Sequence, residues 1–189
     1  MQEPCTLSCQ TKQYLTRFYE ILDGMICGMT GAELTGSISH NFIVQMIPHH
    51  RAAIEMSENA LPHIGDCPLR RIASNIITAQ TKSIADMESV LPCCAALCSP
   101  AQDLALYQRR MDLIYQTMFD RMGSAPETDR IGISFMREMI PHHEGAVRMA
   151  ENALKYGVCP ELVPILCAII TSQKRGVREM QALLARCGC

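Results

Sequence analysis

Apolar residues fall three and four apart through most of the chain, and polar residues fill the gaps. Leu15, Phe18, Leu22, Met25, Ile26 and Met29 recur at helical spacing. This predicts a first helix that ends before the glycine-flanked loop 31–36. A long second helix is predicted from about Ser39 to Leu61. Gly65–Pro68 marks a turn, with Pro68 suited to the first helical position. A third helix should run to about Leu91, where Pro92 is expected to stop it. The pattern then starts again, with helices over about Gln102–Met122, Asp129–Tyr156 and Glu161–Ala185. No stretch alternates with the period of a strand. The chain therefore reads as all-α, with antiparallel neighbours joined by short loops.

The second set of helices resembles the first residue by residue. MIPHHRAAIEMSENAL, from Met46 to Leu61, and MIPHHEGAVRMAENAL, from Met139 to Leu154, share eleven of sixteen residues at an offset of 93. The same offset relates Met25 to Met118, Met29 to Met122, Phe42 to Phe135, Gln80 to Gln173 and Met87 to Met180. Cys5 maps to Cys98, Cys94 maps to Cys187, and Cys67-Pro68 maps to Cys159-Pro160 after a slip of one residue. A period this long implies domain-sized halves rather than a solenoid. The expected organisation is a first repeat over 1–95 and a second over 96–189. Each would hold three helices, related by a pseudo-two-fold and packed as one domain.

The duplicated segment carries the chemistry. At 100° per residue, Phe42, Met46, His49, His50, Ala53, Met56 and Ala60 fall within an arc of about 120°. Phe135, Met139, His142, His143, Ala146, Met149 and Ala153 repeat that face. Imidazole nitrogen and thioether sulfur together suit copper, and soft sulfur favours Cu(I). Met46, His49, His50 and Met56, with Met139, His142, His143 and Met149, are the leading candidate ligands. Met25, Met29, Met118 and Met122, at the ends of the first helix of each half, are the next. Such a site needs ligands from a second helix and a cavity or groove to hold the ion. Pro48 and Pro141 precede each His-His pair and should kink the helix, unless a new helix begins there. Met87, Met111, Met136 and Met180 read as core filler. His40 and His63 have no counterparts in the second half and read as ordinary polar groups. Glu58-Asn59 and Glu151-Asn152 read as a polar face or as helix-packing contacts.

Composition narrows the function. A formal charge of −2 offers no electrostatic footprint for nucleic acid or an anionic membrane. No uncharged apolar run reaches the roughly 18 residues of a membrane span. MQEPCTLSCQ lacks the basic and apolar regions of a signal peptide. Eleven cysteines nevertheless argue for an oxidising, extracytoplasmic location rather than the cytosol, with the signal peptide absent from this sequence. No CxxC occurs, which argues against a zinc ribbon. In an up-down-up half, the starts of the first and third helices lie at one end. Disulfides Cys5–Cys67 and Cys98–Cys159 are therefore expected, each worth about 4 kcal/mol by loop-closure entropy. Cys27, Cys93, Cys94, Cys187 and Cys189 should gather at the opposite ends.

Catalytic motifs are scarce. The di-iron Glu-x-x-His pair, HExxH and a phosphate-cradling glycine loop are all absent from the sequence. Phe-x-x-Met-x-x-His-His-x-x-Ala-x-x-Met, followed by a helix with Gln and Met, resembles the domain of unknown function 305 family. Here the pattern is Phe42, Met46, His49, His50, Ala53, Met56, Gln80 and Met87, and again Phe135, Met139, His142, His143, Ala146, Met149, Gln173 and Met180. The resemblance implies a ferritin-like helical fold, usually exported, with some members tied to periplasmic copper binding and resistance. The function expected is copper scavenging, storage or carriage. The alternatives are a non-metal structural or interaction module, and an enzyme using the His-His face for acid–base chemistry.

Overall fold

The computed structural model describes residues 7–187. They form six α-helices and one short 3-10 turn: α1 (Cys9–Thr30), α2 (Ile38–Ala60), a turn over Leu61–His63, α3 (Cys67–Ala95), α4 (Ala101–Gly123), α5 (Ile131–Ala153) and α6 (Val163–Arg186). No strand occurs among the described residues. The fold is the expected all-α bundle of two pseudo-symmetric three-helix halves.

Polar side chains show how each half is laid out. Asn59 Nδ2, at the end of α2, donates to the Tyr14 carbonyl near the start of α1 at 3.0 Å, while Gln45 Nε2 reaches the Met29 carbonyl at the other end at 3.3 Å. Those two contacts set α1 and α2 antiparallel. Asn152 repeats the first of them on Tyr107 at 3.2 Å. The duplicated asparagines are thus helix-packing contacts. Ser37 at the start of α2 donates to the Cys94 carbonyl at the end of α3. Arg70 near the start of α3 donates to Leu61 and Ile64 carbonyls at the end of α2. These contacts set the third helix antiparallel to the second.

The halves meet through α2 against α5 and α3 against α6. The central pair is the most deeply buried: 15 of 23 residues in α2 and 18 of 23 in α5, against 7 of 29 in α3 and 4 of 24 in α6. An outer helix needs one apolar stripe, whereas a central helix must be lined with small or apolar residues almost all round. Ala52, Ala53, Ala60, Ala146, Ala150 and Ala153 meet that need and let the helices approach closely.

Prolines behave in two ways. Pro48 and Pro141 lie inside continuous helices α2 and α5, so neither starts a new helix. Pro92 does not end α3, which continues to Ala95. A proline forfeits a single backbone donor, and so near a helix end the loss is limited to one hydrogen bond. Cys93 and Cys94 therefore stay helical.

The expected disulfides fare differently. Cys5 lies outside the described residues. Cys98 and Cys159 are not joined: Cys98 is exposed, while Cys159 is buried with its sulfur 3.6 Å from that of Cys93. The reason is topological. α3 and α6 run antiparallel across the half–half interface, so the segment opening α6 meets the end of α3 instead of the start of α4. Cys93 and Cys94 accordingly join Cys159 rather than Cys187.

One close approach is set by a missing side chain. A Cβ at Gly28 would lie 2.8 Å from Cβ of Pro48, whose ring cannot rotate away. Gly28→Ala should therefore push α1 off α2 and destabilise the fold by about 1–3 kcal/mol, despite the better helix propensity of alanine. Thermal unfolding of the variant measures this, and an unchanged or higher melting temperature would show that the contact relaxes freely.

Candidate metal centre

α2 and α5 cross at their histidines. His49 and His142, equivalent residues 93 apart, stack with ring centroids at 3.7 Å and planes 30° apart. His50 and His143 flank them, at 5.9 Å from His49 and 5.8 Å from His142 respectively. Exposure is 0% for His49, His50 and His142 and 3% for His143. Four imidazoles thus share one buried volume where the halves meet.

Their hydrogen bonds are few. His142 Nε2–H donates to the His49 carbonyl at 3.1 Å, which leaves the lone pair on Nδ1. His50 Nε2 meets Ser83 Oγ at 3.1 Å on α3. At the equivalent place on α6 stands Gly176, and a Cβ there would lie 2.9 Å from His143 Cδ2 and 3.1 Å from its Nε2. Both ring nitrogens of His49 and the Nδ1 atoms of His50, His142 and His143 are buried without a partner. So are both side-chain polar atoms of Gln80 and Oε1 of Gln173. A buried polar group without a partner costs about 1–3 kcal/mol. A core carrying five such imidazole nitrogens is poorly satisfied by protein alone.

Electrostatics keep the rings neutral. Burial is the main cause for all four. It lowers His50 to about 3 and His142 to about 4, and holds His49 and His143 well below the ordinary value. Repulsion among the would-be imidazolium charges adds to the effect at His49, His50 and His143. Neutral imidazole with a free lone pair is the metal-ligating form.

The methionines surround this centre. Met46, Met56, Met139 and Met149 are buried, as are Met25, Met29, Met118 and Met122. Met87, Met111, Met136 and Met180 are buried too, so burial alone does not separate ligand from filler. Met118 packs directly against the backbone of α5, in the space that a Cβ at Gly145 would need. The stacked rings of His49 and His142 occupy the crossing itself, so the expected cavity or groove does not lie between them. A pocket of about 40 Å³ between α3 and α6, lined by Gln80, Gln173 and His143 among others, reaches the centre from outside.

Two arrangements have no counterpart in the motif. Glu138, one position before Met139, is buried and accepts a hydrogen bond from Tyr14 of the other half. Burial raises its carboxyl to about 8. The equivalent position is Gln45, and Tyr107, the equivalent of Tyr14, has an unpartnered hydroxyl. A charged residue at an otherwise apolar position of α5 was the available signal. The second arrangement is the gathering of Cys93, Cys94 and Cys159. Their spacing in sequence gave no hint of it. His63, which reads as an ordinary polar group, is one: it bonds Gln10 at 2.9 Å.

These shifts give metal-free protein a two-sided pH dependence. Below 6.5 the unfolded histidines take up protons that the folded ones refuse, so stability falls with falling pH, by up to about 1.4 kcal/mol per unit for each ring. Glu138 acts with the opposite sign. Its folded carboxyl keeps a proton from 4.5 up to about 8 while the unfolded one does not, so stability falls as pH rises through that interval. Urea unfolding across this range should show a maximum near neutrality. Glu138→Gln should flatten the limb above 6.5 and steepen the acid limb between 4.5 and 6.5; a variant that keeps the alkaline limb would assign it elsewhere.

The chain has relatives of known structure. The sequence profile of the domain of unknown function family DUF305 matches residues 39–184. A crystal structure of a DUF305 fragment from Deinococcus radiodurans is similar, with 24% identity and a TM-score of 0.57 over 79% of this chain and 96% of that one. CopM in a silver-bound form obtained by soaking is 30% identical, with a TM-score of 0.59 over 78% of this chain and 95% of that one. CopM in the apo form matches with the same identity and score, over 96% of its length. No curated protein matches significantly. No helix among the described residues is long and apolar enough to cross a membrane. With its profile match running from the first turn of α2 almost to the end of α6, this chain belongs to the DUF305 family.

Proposed function

We propose that this protein binds copper, as Cu(I), at the crossing of α2 and α5, and serves outside the cytoplasm as a scavenger, store or carrier of the metal. The observation that carries this is the set of five buried imidazole nitrogens with no partner on four stacked or adjacent rings. A soft cation would satisfy lone pairs that the protein leaves bare. His49, His50, His142 and His143 would hold it, with thioethers from Met46, Met56, Met139 and Met149, and further sulfur from Met25, Met29, Met118 and Met122. Donors of this kind select a soft monovalent ion. The silver taken up by CopM is an ion of that class, which supports the reading. The repeats over 1–95 and 96–189 would act as one unit, since each supplies two of the four rings. An oxidising location accords with the eleven cysteines.

The bonds from His142 to the His49 carbonyl and from His50 to Ser83 favour a second reading, in which the rings only pin the helices together. Competition against a Cu(I) chelator separates the two. His49→Ala with His142→Ala should lose the Cu(I) held at the crossing, while circular dichroism shows the helices retained, since alanine is the better helix former. Equal competition by variant and wild type would leave the helix-pinning role. Met46→Leu should weaken Cu(I) more than Cu(II), because only the soft ion depends strongly on thioether sulfur. Equal losses for the two ions would remove Met46 from the ligand set.

A further inference from the structure

A second set of soft donors lies away from the histidines, where the end of α3 meets the segment opening α6. The ligand atoms of Cys93, Cys94 and Cys159 all lie within 4.8 Å of one another, and Cys93 Sγ is 3.6 Å from Cys159 Sγ. Cys94 and Cys159 are buried, at 0% and 1% exposure, and Cys93 is exposed. We propose that these three sulfurs form a thiolate site for a soft monovalent ion, Cu(I) or its surrogate Ag(I). The site is independent of the imidazole centre.

The spacing decides between a metal and a disulfide. Three sulfurs around one ion at metal–sulfur distances of roughly 2.3 Å sit about 4 Å apart. Cys93 and Cys159 are near that separation already, and the Cys94 sulfur lies within 4.8 Å of both. A disulfide requires about 2.05 Å, so two of the sulfurs would have to close by more than an ångström, and the third thiol would be left over. Among the described residues no fourth His, Cys or carboxylate lies within 4.8 Å of all three sulfurs, although the Glu161 carboxylate touches Cys159 at the rim. Tetrahedral Zn²⁺ would have to draw exposed Glu161 inward or take a water as its fourth ligand, whereas three-coordinate Cu(I) is complete with the three sulfurs.

Two serines at the start of α2 fix the backbone around the trio. The Cys159 amide donates to Ser39 Oγ at 2.8 Å, and Ser37 Oγ donates to the Cys94 carbonyl at 2.7 Å. Ser37 is the N-cap of α2 and Ser39 lies in its first turn. The start of α2 thus holds the backbone on both sides of the trio, while burial pushes the Cys94 and Cys159 thiols up, so that the ion itself must draw off their protons. Binding follows Cu⁺ + 3 RSH → [Cu(SR)₃]²⁻ + 3 H⁺, with no change of oxidation state. Exposed Glu161 already accepts the Cys159 thiol at 2.8 Å and can pass that proton to solvent.

The test is anaerobic titration of the reduced full chain with Cu(I), read by thiolate-to-copper absorption in the near ultraviolet and by alkylation mapping. Wild type should show the band and protect all three cysteines. His49→Ala with His142→Ala should keep it, so failure at the imidazole centre and failure here are separable. Cys93→Ser, at an exposed position, leaves the fold intact and should weaken the absorbing site by at least the roughly tenfold that loss of an outer-shell partner costs. A band unchanged in Cys93→Ser would overturn the site. So would a Cys93–Cys159 disulfide in the Cu(I)-treated protein, or Zn²⁺ displacing Cu(I) from the three thiols.

Discussion

The contact on which the molecule turns is the face-to-face meeting of His49 and His142 at 3.7 Å. It places polar rings where a helical bundle would ordinarily put leucine. The surrounding sequence accommodates that choice. Ala53 and Ala146, one turn beyond, keep the helices close, and Met46, Met56, Met139 and Met149 fill the remaining volume without adding groups that need hydrogen bonds. Burial holds all four rings neutral, and their lone pairs stay bare. The core is thereby specialised for a ligand more than for stability, a trade commonly made at functional sites.

The halves match closely in their apolar residues and diverge in their polar ones. His142 donates to the His49 carbonyl at 3.1 Å, while the reciprocal approach of His49 to the His142 backbone is looser. Ser83 caps His50, whereas Gly176 leaves His143 at the edge of the small pocket between α3 and α6. Tyr14 is bonded to Glu138 across the halves, while Tyr107 and Gln45 are not so joined. Symmetric packing therefore encloses an unsymmetric centre, with the side nearer His143 the more open.

Helix content and helix order were legible in the sequence, and so was the duplicated His-His face; the meeting of the two pairs at one crossing was not. An amphipathic period is a local property, and the duplicated motif marks the face that must be buried twice. The glycine and proline signals located most boundaries within a few residues. Pro92 misled because a proline close to a helix end costs a single bond and the helix can pass over it. Two features were hidden. The Tyr14–Glu138 pair spans 124 residues, and the Cys93–Cys159 approach spans 66. Both depend on how the halves face each other, which no local period encodes. The disulfide expectation for Cys98 and Cys159 failed on the same ground. It paired ends within one half, although the antiparallel contact of α3 with α6 brings ends of different halves together.

A pseudo-two-fold axis through a pair of equivalent side chains is the geometry of an isologous dimer interface. Here both sides of that interface belong to one polypeptide, joined by the short segment between α3 and α4. The second half is therefore presented to the first at the effective concentration of a tether, in the millimolar range for short linkers. Dilution that would part a true dimer does not part these rings. The imidazole cluster is consequently as complete in a single molecule at trace abundance as in a concentrated solution.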